Sequence, residues 1–472
     1  MRHGPALVRA SRMAVNHRDV SALQAQLEAA SEDRATSTSQ QNTQKCVRPV
    51  PVPGESALYQ VPEGLALEYR NLPSLVQASL WLVAGWVSAL STLQRLRLAW
   101  IRPLLSLSSS TGHVQWTKVF SFVLKTMVLA LSFTVVLQDL FFAPSRLTTQ
   151  QLLEKFFLPS QYSRYQAIAR NDEGNATQGV HYLLCEQQGN STGLIYLNHG
   201  FGASSLSWLP AMKPLLDRLG YRKVVAHDAP GFGFTDRPND WLEPYTSRGS
   251  ARIGYNLLKT QQEGLDQDEP ILLMGHSMGS VTALRMALLL PSHVPKRIVL
   301  VDPALGIRPN SQRTTNVMNK VPVSNFFYNR IVDPLGSYIL KRAVGRPGFW
   351  RAGLQLAWGD ASRLKDSDVL RFQWPALGKG WEKGMIKFTR AQLIPMEVSD
   401  RDLVKQVLAL PNTTVDVIYG GSDPIVKPSL IEKFFMSFLS QGVNLVALEG
   451  LGHDPFEEDA EAFINALEEL LQ

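Results

Sequence analysis

Cysteine is nearly absent from this chain: 472 residues contain only Cys46 and Cys185. Two thiols build neither a disulfide framework nor a thiolate metal site, so the fold must stand on its apolar core. With 45% apolar residues at this length, there is ample material for one large core and room for two or three domains. Runs of basic residues are missing too, and the formal charge of +6 is modest. That excludes the usual electrostatic signature of a nucleic-acid partner. The redox compartment stays open.

Two amino-terminal stretches lack charge of one or both signs. Residues 1–18 carry Arg2, Arg9, Arg12 and Arg18 with no acid before Asp19, a composition shared by organellar transit peptides and disordered basic tails. Residues 31–54, rich in Ser, Thr, Gln and Pro, have no periodic apolar face and read as linker, so 1–70 is a disordered or targeting segment. From Asn71 to Gln94 there is no charged residue at all. At about 1.5 Å per helical residue, that stretch crosses a hydrocarbon layer of roughly 30 Å. It reads as a transmembrane helix, the alternative being a buried core helix. A second stretch, 119–142, includes Lys125 and Asp139 and is either a second span or an interfacial helix. Together, residues 71–143 form the expected membrane anchor. Arg95, Arg97, Arg102 and Lys118 lie between the two stretches without an acid, which, if both span, puts that loop on the cytoplasmic or equivalent side and the carboxy-terminal domain across the membrane. Asn175, Asn190 and Asn412 head glycosylation tripeptides, compatible with a luminal domain. The membrane itself, endomembrane or that of a plastid or mitochondrion, is left open.

From about residue 160 the pattern changes to short apolar runs alternating with helical segments, as in an α/β sheet. Strands are expected at Tyr165–Arg170, Val180–Gln187, Leu194–Leu197, Lys223–His227, Ile271–Met274, Arg297–Val301, Thr414–Tyr419 and Val443–Leu448. Four loops after these strands carry chemistry and a fifth is structural. The fifth strand breaks into Gly275-His-Ser277-Met-Gly279, and a helical pattern follows at once. A serine on such a sharp turn has its hydroxyl pushed outward, and the amide of Met278 lies near the helix N-terminus, where an oxyanion would be held. The bland reading is a loop merely bracketed by glycines. Asn198-His-Gly-Phe201-Gly leaves backbone amides free after its strand, making Phe201 N the second expected oxyanion donor. Asp228-Ala-Pro-Gly-Phe-Gly is read as structural, with Asp228 and Arg237 pinning the loop.

Asp423 follows the seventh strand and His453 the eighth. In a parallel sheet, the carboxyl ends of strands gather on one edge, so Ser277, Asp423 and His453 are expected to meet there. A serine hydroxyl needs a base to take its proton, imidazole suits that task near neutrality, and a carboxylate fixes the imidazole's tautomer. Asp302, also at a strand end, is the rival acid, and Asp454 is a further acidic neighbour. The order Ser, Asp, His differs from that of chymotrypsin or subtilisin.

With these loops in place, residues 160–472 resemble the α/β-hydrolase family, on His199-Gly-Phe-Gly, Asp228-Ala-Pro-Gly-Phe-Gly, Gly275-His-Ser-Met-Gly, Gly421-Ser-Asp423 and Gly452-His453. The resemblance implies a mostly parallel eight-stranded sheet with helices on both faces. It also implies Ser277, Asp423 and His453 as catalytic triad, Phe201 and Met278 as oxyanion donors, and no metal or organic cofactor. Ser277 departs from the family's epoxide hydrolases and haloalkane dehalogenases, which place aspartate there. Leu356-Ala-Trp and Lys379-Gly-Trp-Glu-Lys-Gly are similar to segments of plant-type membrane-anchored hydrolases of undefined substrate.

The core is thus expected over 160–305 and 401–472, interrupted by 306–400, which is too long for a plain loop and reads as a helical lid. This insertion carries fifteen Lys and Arg against seven Asp and Glu, so the basic surplus of the chain resides there. Among those charges lie Phe326, Phe327, Tyr328, Phe349, Trp350, Trp358, Phe372, Trp374 and Trp381. They suit an anionic membrane surface or an amphiphilic substrate, or else form the insertion's own core. The expected activity is membrane-anchored hydrolysis of a lipophilic carboxylic ester through an acyl-enzyme. Thioester or carbon–carbon bond hydrolysis on the same residues, and a non-catalytic interaction protein on this fold, are the alternatives.

Overall fold

Short runs of Val, Ile, Leu and Tyr form the strands, because branched and aromatic side chains fit a pleated surface covered on both faces. In the computed structural model, which describes residues 161–170, 176–189, 191–238, 242–262, 268–307, 333–394 and 398–472, they build one eight-stranded sheet. The strands are β1 (Ser163–Ala169), β2 (Thr177–Glu186), β3 (Leu194–Asn198), β4 (Lys223–His227), β5 (Ile271–His276), β6 (Lys296–Val301), β7 (Thr413–Gly420) and β8 (Asn444–Leu448). Their spatial order is β1-β2-β4-β3-β5-β6-β7-β8. The β1–β2 and β2–β4 pairs are antiparallel, and every pair from β4 to β8 is parallel. The opening hairpin and the parallel body agree with the pattern of apolar runs.

Helices α1 (Leu209–Leu219), α2 (Ser247–Gln261) and α3 (Gly279–Leu289) connect the early strands. Four more, α4 (Asp333–Val344), α5 (Pro347–Ala357), α6 (Asp366–Ala376) and α7 (Trp381–Ala391), lie in the insertion after β6. The chain then closes with α8 (Asp400–Leu408), α9 (Pro428–Phe435), the single turn α10 (Pro455–Glu458) and α11 (Ala460–Leu471). Because side chains alternate along a strand, Leu194, Tyr196, Ile271, Leu273, Ile298 and Leu300 face one way and pack with α2, α3, α8 and α9. The intervening Ile195, Leu197, Leu272, Met274 and Val299, equally buried, face the other way, where α1 and α11 pack together. Each such fully buried aliphatic side chain contributes about 1.5–3 kcal/mol, so the sheet is the stable platform on which the loops are carried.

The insertion's helices build an apolar core shared with Phe232 and Tyr245 from the loops after β4. Trp350, Trp358 and Trp381 are buried with Leu354, Met385 and Phe388, and Trp374 is buried edge-on to Phe234. These tryptophans are therefore interior, while Phe349 remains exposed. The aromatics Phe326, Phe327 and Tyr328 and the stretches 71–94 and 119–142 lie outside the described residues. Among the described residues no helix is long and apolar enough to cross a membrane.

Candidate active site

The register of the central strands sets the floor of the site. Asn198 at the end of β3 lies level with His227 on β4 and Gly275 on β5, so the loops that follow leave the sheet along one edge. Ser277 begins the loop after β5 with φ of +51°, a left-handed conformation that costs a non-glycine residue about 1–3 kcal/mol. The fold holds it there: Ser277 N donates to Val301 O at 2.8 Å, and Ser277 O accepts from Ser280 N at 3.1 Å and Ala304 N at 3.2 Å. Flanking glycines make the turn possible. A Cβ at Gly275 would stand 2.5 Å from Gly279 O, and one at Gly279 would stand 2.5 Å from Asn198 O.

His453, in the loop after β8, places Nδ1 2.7 Å from Asp423 Oδ2 in the loop after β7. The other oxygen of Asp423 accepts from Ile425 N at 2.7 Å and Val426 N at 3.0 Å, so the carboxylate is rigidly held. Asp302 also reaches this cluster, with one ligand-type atom each of Asp302, Asp423 and His453 within 4.8 Å of one another. It accepts from Gly420 N at 2.8 Å, and burial, together with the charge of Asp423, pushes its carboxyl well above the usual range. No other group of three potential metal-ligating side chains lies so close among the described residues. The contacts of Asp423 account for its proximity to His453 as a hydrogen-bonded pair, with Asp302 as a neutral neighbour.

Burial works against a charged His453, but the Asp423 hydrogen bond and the charges of Asp454, Asp423 and Glu458 outweigh it and raise the imidazole above its ordinary pKa. His453 reaches the serine turn through the residue before Ser277. The His276 ring donates from Nε2 to His453 O at 2.8 Å, and the two ring centroids are 4.8 Å apart. His276 itself is kept neutral, first by burial and then by His453. Among the described residues, no hydrogen bond joins Ser277 Oγ to the imidazole, a contact that commonly tightens only once substrate is bound.

The amides of Phe201 and Met278 donate to no acceptor among the described residues. The loop carrying Phe201 is set by His199. Its Nε2 accepts from Ala229 N at 3.0 Å, so the proton sits on Nδ1 and is donated to Gly200 O at 2.8 Å. That carbonyl is thereby turned away, leaving the next amide, Phe201 N, unpaired. Phe201's side chain is 60% exposed, with its ring near those of Phe232 and Phe388. Asp228 pins this region as expected: it accepts from Ser205 N and Phe234 N, each at 2.7 Å, while Arg237 donates to Gly233 O. Burial alone would raise the Asp228 carboxyl, but His181, then His199 and the Phe234 amide, hold it well below the usual carboxylate range.

Sequence reasoning missed Glu458. One oxygen accepts from Gly452 N, beside His453, and the other from Gly359 N in the insertion, both at 2.9 Å. His453 N in turn donates to Ala357 O at 2.8 Å. The two backbones touch so closely that a Cβ at Gly452 would stand 2.2 Å from Gly359 N. Burial lifts Glu458 to about 7. The buried Arg371 also pairs with Glu457, and Lys387 donates to Pro238 O at 2.9 Å. The insertion thus meets the site as a wall fixed at several points. A Glu five residues beyond a loop histidine is too common a spacing to have marked this role.

A strand-borne serine turn, an acid and a histidine on the last two strands, and this strand order define a protein of the α/β-hydrolase class. Residues 194–466 match the sequence profile of the Alpha/beta hydrolase family, and the chain belongs to that family. It is similar to the mesoderm-specific transcript protein of Mus musculus, 25% identical over 277 residues, 58% of this chain and 77% of that one. It is also similar to the monoglyceride lipase of Homo sapiens, 26% identical over 193 residues, 38% of this chain and 60% of that one. Among solved structures it is similar to a thermophilic esterase from Thermogutta terrifontis, with a TM-score of 0.48, 18% identity and coverage of 65% and 98% of the two chains.

Proposed function

We propose that this protein is a membrane-anchored serine hydrolase that cleaves lipophilic carboxylic esters through an acyl-enzyme on Ser277. The observation that carries the reading is the 2.7 Å His453–Asp423 pair beside a serine held at φ +51°. In this scheme Ser277 Oγ bonds to the ester carbon while its proton passes to His453 Nε2. Asp423, accepting from Nδ1, keeps that nitrogen available and stabilises the imidazolium that forms. The carbonyl oxygen takes the negative charge toward the amides of Phe201 and Met278, a type of interaction whose loss typically costs about 100–1,000-fold in kcat. As the tetrahedral intermediate collapses, the ester C–O bond breaks and His453 returns its proton to the departing alcohol. Water, deprotonated by the same imidazole, then attacks the acyl carbon and frees Ser277.

The family relationship and the lipase among the relatives support ester cleavage. The uncharged stretch 71–94 supports anchoring and, with it, a substrate that partitions into lipid. Full-length protein in detergent or vesicles is expected to hydrolyse a series of p-nitrophenyl and monoacylglycerol esters with kcat/KM rising with chain length. Cleavage of matched thioesters but not of esters would reassign the reaction.

A further inference from the structure

A cavity lies beside Met278, over the carboxyl ends of β3 and β4. Its wall includes Asn198, His227 and Ser250, only 2%, 1% and 7% exposed. Four of their polar atoms, Asn198 Oδ1, His227 Nδ1, His227 Nε2 and Ser250 Oγ, have no hydrogen-bond partner among the described residues. Buried polar atoms are almost always paired, so unpaired atoms on three residues that line one cavity point to an occupant that pairs those facing it. Asn198 is positioned for this: its Nδ2 donates to Met274 O at 3.0 Å, leaving Oδ1 as an acceptor. His227 is neutral, its pKa lowered to about 3 by burial and then by His199, with the nearby Asp228 opposing, so its ring offers one donor and one acceptor.

Among the described residues no Lys, Arg, Asp or Glu lines the cavity, and the carboxylate of Asp228 is taken up by His181, Ser205 N and Phe234 N, so the lining suits an uncharged group. Strand order then places it in the reaction. His453 and Asp423 stand in the loops after β8 and β7, strands on one side of β5, whereas Asn198 and His227 end β3 and β4, strands on the other. In the proposed scheme the departing oxygen takes its proton from His453, which would put the alcohol toward the β7–β8 loops and the acyl chain toward the β3–β4 edge.

We infer that this cavity is an acyl-side subsite for an uncharged oxygen function, a hydroxyl or keto group carried on the acyl chain. The inference rests on the ester-hydrolase reading and narrows it from lipophilic esters to those of oxygenated acids. A plain hydrocarbon chain offers these four atoms nothing, while a hydroxyl donates to Asn198 Oδ1 or the free His227 nitrogen and accepts from the His227 N–H or Ser250.

The test compares p-nitrophenyl octanoate with its 3-hydroxy, 3-oxo and 5-oxo derivatives. Hydrolysis is measured on wild type, Ser250→Ala and His227→Phe, and equilibrium binding on Ser277→Ala with and without Ser250→Ala. Wild type is expected to favour at least one oxygenated ester by about tenfold in kcat/KM, since a site built to bond an oxygen discriminates against its absence. Both substitutions shrink that ratio, and Ser277→Ala binds the oxygenated ester more tightly, an advantage lost on adding Ser250→Ala. Equal rates and equal binding across the series would overturn the subsite, assigning the polar atoms to ordered water, while ester cleavage stood. No hydrolysis of any ester, with discrimination retained in binding, would keep the subsite and overturn the ester reading. If neither hydrolysis nor discrimination is found, both fall.

Discussion

Two histidines in this protein grip a carboxylate through the same atoms at the same 2.7 Å: His453 Nδ1 to Asp423 Oδ2 and His181 Nδ1 to Asp228 Oδ2. By hydrogen bonds alone the second is the more complete, because Ser163 Oγ sits 3.1 Å from His181 Nε2. Yet Ser163 is an unstrained residue of β1, and all three of these side chains are sealed from solvent. Asp228 spends its oxygens on the amides of Ser205 and Phe234 as well, locking the loops after β3 and β4 to β2. At the other site the serine is on a strained turn, the histidine borders solvent, and two amides have no partner among the described residues. A serine–histidine–aspartate chain is thus a structural tie in one place and a candidate reaction centre in the other. Accessibility and free donors distinguish them.

The largest expected break in this comparison comes from the carboxylates. Asp423→Asn should lower kcat about 1,000- to 10,000-fold with the melting temperature nearly unchanged, because the tautomer is lost and the packing is not. Asp228→Asn should do the reverse, lowering the melting temperature by several degrees and reducing activity only as far as the oxyanion loop loosens. Kinetics and thermal melts on the same preparations would separate the two. Equal effects on both quantities would erase the distinction.

A smaller effect concerns pH. Catalysis needs neutral His453, whose pKa is raised, so activity should fall as pH drops through a value above 6.5, the ordinary histidine pKa. Glu458, at about 7, loses its charge over the same window, and with it one acceptor for the amides of Gly452 and Gly359. Glu458→Gln removes that charge permanently. Its kcat/KM should fall a few-fold at pH 8, and the acid limb should move to lower pH because a negative charge near His453 has gone. An unshifted limb would contradict the assigned role.

The smallest effect sharpens the choice between acids. Burial and Asp423 push the Asp302 carboxyl well above the usual range, disfavouring its charged form, and an amide can still accept from Gly420 N, so Asp302→Asn should cost less than about tenfold in kcat. A loss as large as that of Asp423→Asn would make Asp302 the working partner of His453.

The sheet was legible because a fully covered strand must be continuously apolar, and Ile271–Met274 or Ile298–Val301 admit little else. The serine turn was legible because its glycines are required by backbone contact, which leaves a spacing in the sequence. Asp302 and Asp423 could be ranked only by strand position, since both follow apolar runs and end buried in one cluster. His181, His227 and Glu458 carried no local signal at all. Their roles arise from a partner 47 residues away for His181 and partners 6 and 99 residues away for Glu458, and for His227 from the absence of one among the described residues. The insertion's tryptophans were ambiguous because an aromatic among basic residues fits either a surface or a small core. Their helical packing decides for the core.

The most direct test is fluorophosphonate labelling of the detergent-solubilised full chain, comparing wild type with Ser277→Ala, His453→Ala, Ser163→Ala and His181→Ala. Labelling should vanish in Ser277→Ala and His453→Ala and persist in folded Ser163→Ala and His181→Ala. Labelling that survived Ser277→Ala, or that was lost from well-folded Ser163→Ala, would place the reactive hydroxyl elsewhere and contradict the account.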